Sequence, residues 1–326
     1  MIQRKPRTDA SLYSLVEDFF RNTFTTDNPL ITEAIRRMLA AGGKRLRPRM
    51  TLLAAEANGS AAEEHLHLAA YMELIHVATL IHDDVVDNAQ TRRGVNATAV
   101  DYGNRISVLA GDYLFAWIFK NVTAQYQHPV PNILSATLAD ICDGEVLQLR
   151  ALGNLDLPVS AYIEIVMKKT ASLFAASAEC GAIMGGGSAL HIKALRDFGL
   201  YYGIAFQMLD DLLDMTADAQ SLGKPVGNDL AERKMTIPLI LALSRADGAT
   251  REMVERFYTG RDRGRTAEVI EAIGRFGGLD GTREQIAQYA ERAQISLAPL
   301  ENSPAKTERI RLADALLDQA PQKEHT

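Results

Sequence analysis

The chain has 326 residues, 47% apolar and 23% charged, the balance of a folded globular protein rather than a disordered one. A net charge of −6 leaves no dominant basic face and argues against a nucleic-acid binder. Cys142 and Cys180 build neither a disulfide framework nor a metal-ligand spacing and read as buried thiols, and no apolar run approaches the ~18 residues of a membrane span.

Residues 1–8 are polar and basic, an expected mobile arm. Met1–Arg7 has no apolar core behind its charges and does not read as a secretory signal, so the cytoplasm is the expected compartment. From Ser11, Leu12, Leu15, Val16, Phe19 and Phe20 fall at helical spacing. Pro29 opens a second helix, with Ile31, Ala34, Ile35, Met38 and Leu39 as its apolar positions, and Gly42-Gly43 ends it. Lys44, Arg45, Arg47 and Arg49 cluster next, with Pro48 early in a helix over about 46–58. A long apolar helix covers about 62–87, 94–104 reads as a connection, and a further long helix spans about 105–124. Pro129-Val130-Pro131 precedes a helix near 132–151. Two shorter helices flank Lys169-Thr170, and Gly185-Gly186-Gly187 breaks the chain before a helix over about 189–215. A loop rich in Gly, Asp and Lys fills 216–235, after which Thr236 is placed to cap a helix that has Pro238 in its first turn. Three or four amphipathic helices end near Leu317 and carry no evident chemistry. Strand-type alternation is nearly absent, so the expectation is an all-α chain forming one domain, 1–326.

The chemistry gathers around Leu80-Ile81-His82-Asp83-Asp84-Val85-Val86-Asp87. At ~100° per residue Asp83 and Asp87 share a helix face, with Asp84 beside them. Acids at the C-terminal end of a helix are disfavoured by its dipole unless a cation is present. The pattern recurs at Gln207-Met208-Leu209-Asp210-Asp211-Leu212-Leu213-Asp214, which suggests one site closed from two sides. Mg²⁺ suits such oxygen ligands, since it is usually held by a few carboxylates and substrate phosphates. A single acidic helix end is more often a solvated cap; two copies, each set in Leu, Ile, Val and Met, shift the balance to a site.

Basic residues supply the complement. Gly42 and Gly43 precede Lys44 and Arg47 at a helix start, where free N–H groups attract anions and arginine can fork onto a phosphate. Arg92 and Arg93 follow the first acids, and Lys169, Lys224 and Lys234 occupy breaks between helices. Any one of them alone would be a solvated surface charge; together they point to a diphosphate bridged by metal ions. His76 lies seven residues before Asp83 on a similar face, where an interior histidine is the commoner outcome, and His65 and His67 point apart. No nucleophile elbow, Ser/His/Asp order or zinc signature is present.

These motifs resemble those of the trans-isoprenyl diphosphate synthases, the polyprenyl synthetase family, and especially its long-chain octaprenyl-type members. The matching segments are Gly43-Lys44-Arg45-Leu46-Arg47-Pro48, His82 through Asp87 with Arg92-Arg93-Gly94, and Val108-Leu109-Ala110-Gly111-Asp112. They continue with Gly144-Glu145-Val146-Leu147-Gln148, Lys169-Thr170, Gln207 through Asp214, and Gly223 through Asp229. Ala231 through Pro238 departs from the family wording around Lys234, and the tail lacks the arginine-rich finish of some relatives.

The resemblance implies an all-α isoprenoid synthase fold with antiparallel helices around a deep central cavity. It implies an allylic diphosphate, such as farnesyl diphosphate, held by Mg²⁺ on Asp83, Asp84, Asp87, Asp210, Asp211 and Asp214, with Arg92, Lys169, Gln207 and Lys224. Isopentenyl diphosphate falls to Lys44, Arg47, His76 and Arg93; Lys234 joins the substrate-binding set, and Thr170 and Gln207 offer oxygen dipoles to the allylic cation. Ala78 and Thr79, a turn before Asp83, are the chain-length positions, with the tunnel running on towards Ile75, Tyr71 or Trp117; as the bland alternative, Ala78 is only a packing residue. The expected product is a long-chain, octaprenyl-like polyprenyl diphosphate for quinone side chains. A homodimer is implied, with at most peripheral membrane contact for product release. A terpene cyclase of the same fold and a non-catalytic subunit of a heteromeric synthase are the competing readings. Cyclases generally lack the Gly-Lys-Arg turn, and the intact acids and bases speak against the subunit.

Overall fold

The computed structural model describes residues 9–22, 24–216, 226–261 and 264–320, with side chains from Ser14 onward. The arm at 1–8 and residues 217–225 of the loop at 216–235, with Lys224, lie outside the described residues. The chain groups into two compact units. One takes in the chain up to Ala136 with Ala176–Arg196 and Pro299–Glu308; the other comprises Thr137–Ala175, Asp197–Ala298 and Arg309 onward.

In the first unit, α1 (Asp9–Asn22), α2 (Pro29–Ala40) and α3 (Leu46–Glu56) lead to a 3₁₀ turn at Ala62–His65 and to α4 (Leu66–Val86). The expected start of α4 at 62 is therefore a tighter turn before the helix proper. Asn28 caps α2 by accepting from the N–H groups of Leu30 and Ile31. Leu68, Met72, Leu74, Ile75, Val77, Ala78 and Ile81 are all buried, so α4 is apolar nearly all round, as a central helix must be. It packs against α1, α3 and α5 (Thr98–Gln125). α5 begins earlier than its apolar pattern indicates, because Gly103, at φ 78°, joins a short first turn to the long helix. Between α4 and α5 a hairpin pairs Thr91–Arg92 (β1) with Val95–Asn96 (β2). Its two-residue turn, Arg93-Gly94, has positive φ at both positions. Such strands are too short to show alternation in sequence.

α6 (Val130–Ala151), α8 (Ser172–Met184), α9 (Ala189–Thr216) and α15 (Pro304–Gln319) each contribute to both units. In the first, Gly181 lets α8 meet α3: a Cβ there would lie 2.2 Å from the Thr51 carbonyl oxygen. In the second, α7 (Val159–Val166) does not end in a break before α8. It continues through a π-helical turn at Met167–Ala171, so Lys169 and Thr170 sit on a bulge inside a continuous helical run. This corrects the expected gap between two short helices. Phe198, Tyr202, Met208, Leu209 and Leu212 of α9 form the core with Phe174. The rest of this unit is α10 (Asn228–Ala231), α11 (Ile237–Leu243), α12 (Gly248–Tyr258), α13 (Thr266–Arg275) and α14 (Gly278–Ser296). Thr236 takes the N-cap position of α11, but its buried hydroxyl makes no capping bond, contrary to expectation. Cys180 is buried as expected; Cys142 is exposed, because the face of α6 that carries it, with Val146 and Leu149, is uncovered.

Candidate active site

The first acidic cluster closes α4, with Asp87 at the C-cap, where its N–H donates to the Asp83 carbonyl at 2.8 Å. Asp83 and Asp87 are half-buried; Asp84 is fully buried. Arg92, placed by β1, reaches one oxygen of Asp84 with Nε at 2.7 Å and Nη2 at 2.6 Å. The other oxygen of Asp84 is buried with no hydrogen-bond partner. Burial pushes the Asp84 carboxyl above its ordinary range, against the pull of Arg92.

Arg93 sits in the left-handed region at φ 51°. Its guanidinium donates to the Gly42 carbonyl and packs on Gly43, where a Cβ would lie 2.8 Å from Nη1, so only glycine admits that approach. The Gly-Lys-Arg turn thus meets the turn that follows the first acids. Arg45, at φ 47°, takes the N-cap position of α3 without a capping bond, and its side chain is buried. It donates to Glu17 at 2.6 Å, Glu73 at 3.0 Å and the Leu39 carbonyl at 2.8 Å, and lies over the Phe20 ring. Burial works against its charge, but the two glutamates outweigh it and raise the pKa. Lys44 stays exposed and Arg47 half-buried, while Arg49 pairs with Glu308.

His76, on α4, lies in the field of Arg47, Arg93, Arg92 and Arg45. Burial first, then those four guanidinium groups, hold its pKa well below the ordinary value, so it is a neutral imidazole. The first unit therefore brings Arg47, His76, Arg92 and Arg93 into one cationic neighbourhood. Glu73, 2% exposed and one turn before His76, was missed; its signal is a lone acid inside an apolar helix.

In the second unit the three acids of α9 differ. Asp210 is exposed, whereas Asp211 and Asp214 are 3% and 1% exposed. Asp211 accepts from Tyr162 Oη at 2.7 Å, Gln207 Nε2 at 3.0 Å and the Ile237 N–H at 3.3 Å. Burial nonetheless pushes its carboxyl up to about 6. Asp214 accepts from the Asp229 N–H at 3.1 Å and receives the Gly227 N–H on its carbonyl, fixing the chain on either side of α10's start. Thr170 Oγ1 donates to Gln207 Oε1 at 2.9 Å, which leaves its lone pairs for another partner. Lys169 pairs with Glu145, and its Nζ is 2.6 Å from Gln148 Oε1. Lys234 pairs with Glu232 at 2.6 Å. Tyr162, which the sequence reading missed, is fully buried against Asp211 and its hydroxyl is pushed well above the ordinary value.

Ala78 is buried, and the Thr79 hydroxyl returns to the His76 carbonyl at 2.8 Å. Further along α4, Tyr71 packs edge-on to Trp117, which in turn packs on Phe24, and Gln125 donates to its hydroxyl. Among the described residues no three His, Cys, Asp or Glu side chains are arranged to hold a metal ion by themselves. No helix of the described residues is long and apolar enough to cross a membrane.

Residues 28–275 match the family model described as Polyprenyl synthetase. The octaprenyl diphosphate synthase of Escherichia coli (strain K12) is 38% identical over 289 residues, 88% of this chain and 90% of that protein. The short chain isoprenyl diphosphate synthase of Methanothermobacter thermautotrophicus is 38% identical over 292 residues, again 88% and 90%. A solved polyprenyl synthase from Caulobacter crescentus CB15, complexed with calcium and isoprenyl diphosphate, superposes with a TM-score of 0.87 at 39% identity, over 94% of this chain and 93% of that one. The all-α fold is that of the isoprenoid synthases. Matched over most of its length, in both sequence and fold, the chain belongs to the polyprenyl synthetase family and is a trans-prenyl diphosphate synthase.

Proposed function

We propose that residues 1–326 act as one domain that extends an allylic diphosphate, such as farnesyl diphosphate, by successive head-to-tail condensation with isopentenyl diphosphate. The product is a long-chain, all-trans, octaprenyl-like diphosphate used for quinone side chains. The observation that carries the reading is the placement of Arg92 on the buried Asp84 and of Arg93 against the Gly42-Gly43 turn, beside the acidic end of α4. Guanidinium groups gathered beside an acidic helix end suit a diphosphate bridged to the carboxylates by metal ions.

Isopentenyl diphosphate is taken by Lys44, Arg47, His76 and Arg93. The allylic diphosphate is taken by Arg92, Lys169, Gln207 and Lys224, with Lys234 as a further cation. Mg²⁺ fits the carboxylates Asp83, Asp84, Asp87, Asp210, Asp211 and Asp214: the donors are hard oxygens, and Asp84 keeps one buried oxygen with no hydrogen-bond partner. When bound, Mg²⁺ stabilises the charge of the departing diphosphate. Lys169 and Arg92 take up part of that charge as the allylic C–O bond breaks with its electron pair on diphosphate. The isopentenyl double bond forms the new C–C bond, and the proton then lost goes to diphosphate. The remaining lone pairs of Thr170 Oγ1, whose proton goes to Gln207, offer an oxygen dipole to the cation between those events.

Equal identity to relatives named short-chain and octaprenyl leaves product length to local features. Ala78 and Thr79 carry no ring that would stop a growing chain one turn from Asp83. Tyr71, about 18 Å from Asp83 along α4 at 1.5 Å per residue, packs on Trp117, and these two rings are the proposed far limit of the chain. A homodimer is proposed, since α5 exposes Val108, Leu109, Asp112 and Ala116 on one face. The cytoplasm is the proposed compartment. Asp83→Ala should abolish turnover in the presence of Mg²⁺; near-normal turnover by that variant overturns the assignment.

A further inference from the structure

The segment Gly144-Glu145-Val146-Leu147-Gln148 on α6 has no task in the chemistry above. At helical spacing Glu145 and Gln148 share one face. Both engage the same atom: Lys169 Nζ pairs with Glu145 and lies 2.6 Å from Gln148 Oε1. Gly144 seats the backbone of that lysine, for a Cβ there would lie 2.5 Å from the Lys169 nitrogen and 2.9 Å from its Cα. Lys169 itself stands on the π-helical turn Met167–Ala171. The preceding Lys168 goes elsewhere, to Asp143 at 3.1 Å and Asp140 at 3.7 Å. Adjacent lysines are thus sorted by different groups on α6, and the one nearest the Thr170–Gln207–Asp211 chain is held at both its root and its head.

We propose that Glu145 and Gln148, seated by Gly144, are positioning residues that fix the Lys169 ammonium for the allylic diphosphate. The inference rests on the reading of Lys169 as a diphosphate ligand. A lysine side chain has a compact charge on a flexible stem, and ordering it only when substrate arrives would cost rotamer entropy at that moment. Held in advance, it stabilises the leaving charge without further rearrangement. The two holders differ in what happens next. Glu145 is an anion that diphosphate can replace, whereas the neutral amide of Gln148 can keep its contact without cancelling the charge the phosphate needs.

The test is steady-state kinetics of the full chain with farnesyl and isopentenyl diphosphates. The variants are Glu145→Gln, Gln148→Ala, Lys169→Ala, Lys168→Ala and the double variant Glu145→Gln/Lys169→Ala. Glu145→Gln and Gln148→Ala should each lower kcat by about tenfold or more, with the KM for isopentenyl diphosphate within roughly twofold of the parent, as expected for loss of an interaction made in the transition state. In the Lys169→Ala background Glu145→Gln should cost nothing further, because the residue it positions is gone. Lys168→Ala should keep the parent kcat. An equal cost of Glu145→Gln in both backgrounds overturns the proposal, as does a matching loss in Lys168→Ala. Parent-like kcat in Glu145→Gln and Gln148→Ala beside an impaired Lys169→Ala overturns the positioning role alone; a fully active Lys169→Ala overturns the diphosphate role beneath it. Should Glu145→Gln fail to fold, Gln148→Ala with and without Lys169→Ala gives the same cycle.

Discussion

Replacing Arg45 by alanine removes a guanidinium that is 2% exposed and holds two glutamates and the Leu39 carbonyl. Glu17, 19% exposed, can recover water, so the loss falls on Glu73. One oxygen of Glu73 already lacks a hydrogen-bond partner, and Arg45→Ala would strip the other. An uncompensated buried charge of this kind costs about 3–5 kcal/mol, a large part of the roughly 5–15 kcal/mol that holds a domain folded. At about 1.5 °C per kcal/mol for a chain of this length, thermal unfolding should shift down by ~4–7 °C. Glu73 also acts on Arg93, so its stranded charge should draw that guanidinium from the Gly42 carbonyl and raise the KM for isopentenyl diphosphate. Calorimetric unfolding and substrate titration measure the two effects. Arg45→Met combined with Glu73→Gln removes both charges and should recover most of the stability. A loss below ~1 kcal/mol in Arg45→Ala, or a double variant no more stable than the single, would refute the reasoning.

Ala78→Phe should shorten the product, read by chromatographic sizing; an unchanged distribution removes the chain-length role of α4. Gly43→Ala places a Cβ 2.8 Å from Arg93 Nη1 and should raise the KM for isopentenyl diphosphate about tenfold with little change in kcat, as loss of uniform binding does; a parent-like KM contradicts the Arg93 placement. With Asp211 at about 6 in the folded chain against 3.8 ordinarily, its proton is held more tightly folded than unfolded. In chelator, stability should therefore fall as pH rises from about 4 through 6, by about 3 kcal/mol from this group. Asp211→Asn should flatten that fall, and Tyr162→Phe, by removing a donor to the carboxylate, should extend it to higher pH. Denaturant titrations at each pH decide it, and an unchanged slope in Asp211→Asn refutes it.

Much of this was legible in the residues, and what was hidden has physical causes. The apolar run of α4 ending in acids gives both the helix and its C-terminus, because burial and the helix dipole act through residue type. The glycines before Lys44 mark the turn correctly. Which arginine enters the interior was not legible: Arg45 and Arg47 are chemically alike, and the left-handed conformation of Arg45 decides between them. The π-helical turn at Lys169 leaves no compositional trace, since one extra residue per turn needs no glycine or proline. Tyr162 and Glu145 act through partners far along the chain, Asp211 and Lys169, and spacing carries no sign of either pairing.

The most direct measurement of the central claim is to incubate the purified single chain with farnesyl and isopentenyl diphosphates and size the products, with Mg²⁺ and with chelator. Long all-trans polyprenyl diphosphates should form, and only with the metal. A cyclised hydrocarbon, or no condensation by the chain alone, would contradict it.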